Sequence, residues 1–70
     1  MKEILQQIWR EVLDLDNLPE TTVSFFDIGG NSFFAAQVIA MLEERTGMTA
    51  EVVDFYDNET IEEFVKLLEE

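Results

Sequence analysis

Two adjacent glycines, an asparagine and a serine, Gly29-Gly30-Asn31-Ser32, open a strongly apolar, alanine-rich run. Glycine takes positive φ at little steric cost, so the pair permits a sharp turn at this point. Asn31 is among the best N-cap residues, and Phe33-Phe34-Ala35-Ala36-Gln37-Val38-Ile39-Ala40-Met41-Leu42 reads as the helix it opens. The chain is thereby committed to turn tightly and enter a helix at a defined residue, with the Ser32 hydroxyl offered on the helix end. No histidine and no cysteine stands anywhere in the sequence. Ser32 therefore lacks a general base and a thiol to work with, and a presented but unactivated serine reads as a site that another protein modifies.

Seventy residues permit one domain, spanning 1–70, and no second core. The 47% hydrophobic content suffices for that core and argues against wholesale disorder. A chain of this size barely offsets its ordering entropy by burial, so a bundle of short helices with modest stability is expected. No apolar run approaches a membrane span, and Met1-Lys2-Glu3 begins no signal peptide. Absence of cysteine excludes a disulfide, a zinc–thiolate site and a cysteine nucleophile, and fits a cytoplasmic protein.

Sixteen acidic side chains against Lys2, Arg10, Arg45 and Lys66 give a formal charge of −12. Nucleic acid is an unsuitable partner, since its phosphates need cationic neutralisation, and anionic lipid is disfavoured by the same sign. Taken alone, the charge is explained by solubility. Basic patches on proteins are its natural counterpart, and Glu43, Glu44, Glu51, Asp54 and Asp57 form a docking surface for them on the second and third helices.

Four helical segments follow from periodicity. Ile4, Leu5, Ile8, Trp9, Val12 and Leu13 recur at helical spacing from Lys2 to Asp14. Asp16 to Asn31 lacks periodicity and contains the only proline, Pro19, so it reads as a long structureless loop, pinned by Val23, Phe25, Phe26 and Ile28. The second helix runs from Ser32 to Arg45 and stops near Gly47; a short third lies around Val52 to Tyr56. Thr60-Ile61-Glu62-Glu63 is a capping-box pattern opening a fourth helix, whose Ile61, Phe64, Val65 and Leu68 give one buried face. The pattern predicts a small all-α bundle closing at Glu70.

Advancing about 100° per residue separates the faces of the second helix. Ala35, Val38, Ile39 and Leu42 form the core stripe, while Phe34 and Met41 lie on a packing flank. Phe33, Ala36 and Ala40 fall on the opposite side with Gln37 close by, an apolar strip that starts beside Ser32. Helix propensity alone explains the two alanines. It does not explain an outward Phe33, which suits an aromatic anchor for a partner's pocket.

Ile28-Gly29-Gly30-Asn31-Ser32 resembles the attachment site of the acyl carrier protein superfamily, most like the peptidyl or aryl carriers of nonribosomal peptide synthetases. The resemblance continues through Ala35, Gln37, Val38 and Leu42, and resumes at Phe55-Tyr56 and Thr60-Ile61, covering nearly the whole chain. It implies a four-helix bundle of the acyl carrier type, with a short, oblique third helix and a long loop between helices one and two. It also implies covalent attachment of 4′-phosphopantetheine to Ser32, supported by Gly29, Gly30 and Asn31. The arm would hold acyl or aminoacyl groups as thioesters in nonribosomal peptide or related biosynthesis. The implied partners are a phosphopantetheinyl transferase, which supplies base and magnesium, an adenylating or acyl-loading enzyme, and downstream condensation, tailoring or thioesterase enzymes. Phe33, Ala36, Ala40, Glu43, Glu44 and Asp54 would meet them. A monomer that is not itself an enzyme is expected, and Met1 with a helical close favours a free-standing chain over an excised synthetase domain. Two positions depart from the family pattern: Asn31 replaces the Asp of many carriers, and Phe33 stands where Leu is frequent.

Other readings fare worse. Asp14-Leu15-Asp16-Asn17 has the start of a calcium loop, but Pro19 and Phe25 stand where glycine and a bidentate glutamate are needed. Glu43-Glu44 and Glu62-Glu63 are carboxylate pairs on solvent faces, without the pocket a hydrolytic dyad needs. A small acidic helical interaction module is the alternative from another class. A bundle this small is also expected to leave little room for a ligand cavity of about 300 Å³ or more.

Overall fold

Helix α1, Lys2–Leu13, forms where leucine, isoleucine and tryptophan recur every three or four residues, and it buries Leu5, Ile8 and Trp9. Asp14 ends it in the left-handed region at φ 54°, a conformation that a short polar side chain tolerates better than most. Helix α2 spans Ser32–Thr46, α3 Val52–Asp57 and α4 Ile61–Leu68. The structure, a computed structural model, describes residues 1–69, and no strand occurs among them. The all-α, four-helix expectation is met, with the starts of all four helices and the ends of the first three within about a residue of their predicted places. Glu70, the predicted close of the last helix, lies outside the described residues.

Helix α2 is the central element. It packs on α1 along one side and on α3 along another, while α4 closes against α1. Its core stripe is Ala35, Val38 and Leu42; Ile39, predicted to share that stripe, sits half-buried at its edge. Phe34 and Met41 pack against the core flank as their spacing indicated. Gly47 terminates the helix at φ 78° with its amide on the Glu43 carbonyl. Two residues earlier, Arg45 Nη2 donates to both carboxylate oxygens of Glu11, at 2.9 and 3.0 Å, tying the end of α2 to α1. This hydrogen bond holds the Glu11 carboxyl below its ordinary value and raises the Arg45 guanidinium.

The interior is aromatic. Trp9, Phe25, Phe55 and Phe64 are fully enclosed, with Phe25 edge-on to Trp9 at 4.8 Å, tilted against Phe55 at 4.8 Å, and Phe55 in turn 4.6 Å from Phe64. Such ring pairs add to the free energy of burying their area. No polar or charged residue among those described is buried. The capping box predicted for α4 is present: Glu63 N–H donates to Thr60 Oγ1 at 3.1 Å and Thr60 N–H to Glu63 Oε1 at 3.3 Å.

The loop between α1 and α2 corrects the sequence reading. Residues Phe25–Ile28 form a 3₁₀ turn, capped by the Ser24 hydroxyl on Phe26 N–H. A single 3₁₀ turn is too short to produce an apolar repeat, which is why its sequence looks structureless. Phe25, Phe26 and Ile28 do pin the loop to the core, whereas Val23 is half-buried outside that cluster. Pro19 is buried, and its carbonyl accepts a hydrogen bond from Gln6 Nε2 at 2.8 Å.

Candidate functional site

The site is assembled around Phe25. Its ring is seated in the core, and its carbonyl accepts the amides of both Gly29 and Gly30, the latter at 2.9 Å. The two glycines serve different needs. Gly29 has φ 105°, a backbone conformation that side-chain-bearing residues rarely adopt. Gly30 has no such φ; a Cβ there would overlap the ring and the carbonyl oxygen of Phe25. The turn is therefore specified by conformation at its first glycine and by close approach at its second.

Asn31 follows in extended backbone, and its Oδ1 accepts Phe34 N–H at 2.9 Å, the predicted N-cap. Ser32 is the first residue of α2 and is exposed. No hydrogen bond engages its hydroxyl among the described residues, whereas the chain's other serine, Ser24, is committed to Glu59 and to Phe26. Amides of a helix's first turn have no intrahelical acceptors and favour an anion beside them. An exposed hydroxyl at this place fits a phosphodiester-linked arm sterically and electrostatically. No group of three or more metal-ligating side chains occurs among the described residues.

Phe33 projects outward, 66% exposed, as its angle on the helix indicated, with Ala36 and Ala40 exposed on the same strip. Glu43 and Glu44 are exposed at the far end of α2. Asp54 differs from the free surface acid that its spacing suggested: it is half-buried, and its Oδ2 accepts Glu51 N–H at 2.9 Å at the start of α3. Periodicity reports a residue's angle on a helix but not whether its oxygen serves the helix's own end.

Two exposed side chains on α3 went unnoticed in the sequence. Val53 and Tyr56 are 56% and 54% exposed, three residues apart, and Tyr56 stacks on Phe26 of the loop at 5.0 Å and 18°. The signal that could have found them is the single buried residue of that short helix, Phe55, which leaves its neighbours on the outside. Beside Tyr56 an open groove of about 640 Å³ runs between the loop and the start of α4. The groove is open to solvent along its length, unlike the enclosed ligand cavity for which a bundle of this size was expected to leave little room. Ser32 does not line this groove. No helix among the described residues is long and apolar enough to cross a membrane.

The chain's relatives share this architecture's sequence along nearly its whole length. It is 43% identical over 63 residues to a plipastatin synthase polypeptide of Bacillus subtilis, covering 90% of this chain and 2% of that protein. Bacitracin synthase 3 of Bacillus licheniformis is 42% identical over 60 residues, 86% of this chain and 1% of that one. A nonribosomal peptide synthetase of Aspergillus aculeatus, acrB, is 28% identical over 68 residues, or 97% of this chain and 4% of its own. The chain thus spans only a few per cent of the length of the curated relatives it matches. Residues 3–68, from the first turn of α1 to the last residue of α4, match the sequence profile described as "Phosphopantetheine attachment site". The Gly-Gly turn and the helix-end serine are therefore features of a match that takes in the entire bundle, and the chain belongs to the phosphopantetheine attachment site family.

Proposed function

We propose that this chain is a single carrier domain of nonribosomal peptide biosynthesis, with Ser32 as the residue that receives the 4′-phosphopantetheine arm. Family membership implies the covalent arm. The observation that carries the choice of residue is the contrast between the two serines: Ser32 is exposed and unengaged on a helix end, and Ser24 is hydrogen-bonded in the loop. When attached, the arm supplies a terminal thiol on which acyl or aminoacyl groups are carried as thioesters.

The roles of the chain's own residues follow from their places. Ser32 contributes the nucleophilic oxygen: a bond forms from Oγ to the β-phosphorus of coenzyme A, the bond from that phosphorus to the nucleotide breaks, and the hydroxyl proton passes to a base. With no histidine in the chain and no carboxylate bonded to Ser32, that base belongs to the transferase. The first-turn amides of α2 stabilise the resulting phosphodiester. Gly29 and Gly30 keep the approach free of side chains. Incubation with coenzyme A and a broad-specificity transferase should add the mass of one arm to the intact protein, and a folded Ser32→Ala protein should gain none. Peptide mapping that finds the arm on Ser24, or on the Ser32→Ala protein, overturns the assignment; absence of any arm on the unaltered chain favours an acidic interaction module instead.

Partners recognise the strip that begins beside Ser32. Phe33 supplies apolar burial at the contact, so Phe33→Ala should mainly speed dissociation, at a cost of about 1–3 kcal/mol. Glu43 and Glu44 act at longer range; reversing their charge should mainly slow association and flatten its salt dependence. Stopped-flow binding to the transferase, at two salt concentrations, separates the two effects. A Phe33→Ala protein with unchanged dissociation shows that the ring makes no contact. The same face would serve the loading enzyme and the condensation, tailoring or thioesterase partners, which leave the domain itself non-catalytic.

A further inference from the structure

The loop that precedes the Gly-Gly turn is strapped to the start of α4. Phe25 N–H donates to the Glu59 carbonyl at 2.7 Å, and Glu62 N–H donates to the Thr21 carbonyl at 3.1 Å. Beside these backbone bonds, the Thr21 hydroxyl donates to Glu62 Oε2 at 2.7 Å and the Ser24 hydroxyl to Glu59 Oε1 at 2.8 Å. Ser24 Oγ also accepts Phe26 N–H at 3.3 Å. All of these bonds fall on Phe25 or within four residues of it in the loop, and Phe25 is the residue whose carbonyl holds the Gly29 and Gly30 amides.

The turn itself has little to keep its shape. Its two glycines carry no side chain to pack, and glycine gives up more conformational freedom on ordering than any other residue. What fixes the turn is its attachment to Phe25, and what fixes Phe25 is its ring in the core together with the strap to α4. A nucleophile displaced by about an ångström can lose a large factor in rate, so the strap bears directly on Ser32.

We propose that Thr21 and Ser24, through their bonds to Glu62 and Glu59, are positioning residues that hold Ser32 ready for modification. The inference rests on the reading of Ser32 as the attachment point. It assigns a role to the start of α4, an element distant in sequence from the serine. The apolar strip of α2, Phe33, Ala36 and Ala40, takes no part in the strap, so docking and positioning are carried by separate residues.

The test compares the unaltered chain with the double variant Thr21→Val, Ser24→Ala and with Glu59→Gln, which keeps an oxygen acceptor for Ser24. Amide hydrogen exchange is read at Gly29 and Gly30 against Val38 and Leu42 in the middle of α2. In the double variant, exchange at the glycines should rise about three- to tenfold, the factor that losing hydroxyl hydrogen bonds supports, with Val38 and Leu42 unchanged. Arm transfer by a broad-specificity transferase should lose a similar factor in kcat with KM unchanged, because the docking strip is intact. Glu59→Gln should stay close to the unaltered chain in both readouts. A merely structural role would raise exchange at all four amides together and leave kcat alone. Glycine exchange that is unchanged, or that rises only in step with α2, overturns the proposal, as does an unaltered kcat in the double variant. If the unaltered chain accepts no arm, the Ser32 reading fails, and glycine exchange by itself still decides whether the strap orders the turn.

Discussion

Phe25→Ala should cost the domain a large share of its stability at room temperature. The ring is fully buried between Trp9 and Phe55, and truncating a buried phenylalanine costs about 3–5 kcal/mol. A domain of this length has a total stability of roughly 4–10 kcal/mol, so the loss consumes much or all of it. Denaturant unfolding followed by helical ellipticity gives the cost, and Trp9 emission gives a second probe, since Phe25 is the ring edge-on to that indole. Phe25→Leu retains most of the apolar volume and should cost distinctly less. A Phe25→Ala protein with a midpoint close to the unaltered chain would mean that the loop is seated by something other than this ring.

The second large effect is expected at Gly30. A methyl group there meets the Phe25 ring and, more seriously, the Phe25 carbonyl oxygen, which cannot give way while it accepts the Gly29 and Gly30 amides. Forcing one extra carbon into such a contact costs about 1–3 kcal/mol. The strain falls on the turn that carries Ser32, so Gly30→Ala should also depress arm transfer more than its loss of stability accounts for. Gly29→Ala meets open space and suffers from its φ of 105° alone. Urea midpoints and transfer rates for the two variants should therefore differ, with Gly30→Ala showing the greater slowing of transfer per unit of stability lost. Equal slowing in both would show that backbone conformation, not contact with Phe25, governs the turn.

These two expectations mark where sequence and structure divide. Helix count, helix boundaries and the identity of the outward strip on α2 follow from spacing, because a helix converts sequence intervals of three and four into one face. The N-cap at Asn31, the stop at Gly47 and the capping box at Thr60 are equally local, each a bond between residues three or four apart. The serine at a helix end after Gly29-Gly30-Asn31, with no histidine in the chain, is legible for the same reason.

Contacts between distant segments are not legible in that way. Nothing in the order of residues says that Phe25 rather than Phe26 occupies the core, that Gly30 is needed for the ring beneath it, or that Ser24 and Thr21 find Glu59 and Glu62 some 35 and 41 residues on. The same limit hid the half-buried Asp54, the exposed Val53 and Tyr56, and the groove beside them. Local spacing thus determined the helices and the presented serine. Only the packing of the loop against α4 and the aromatic core decided how the turn before that serine is anchored, because the bonds that anchor it join residues which become neighbours only once the chain has folded.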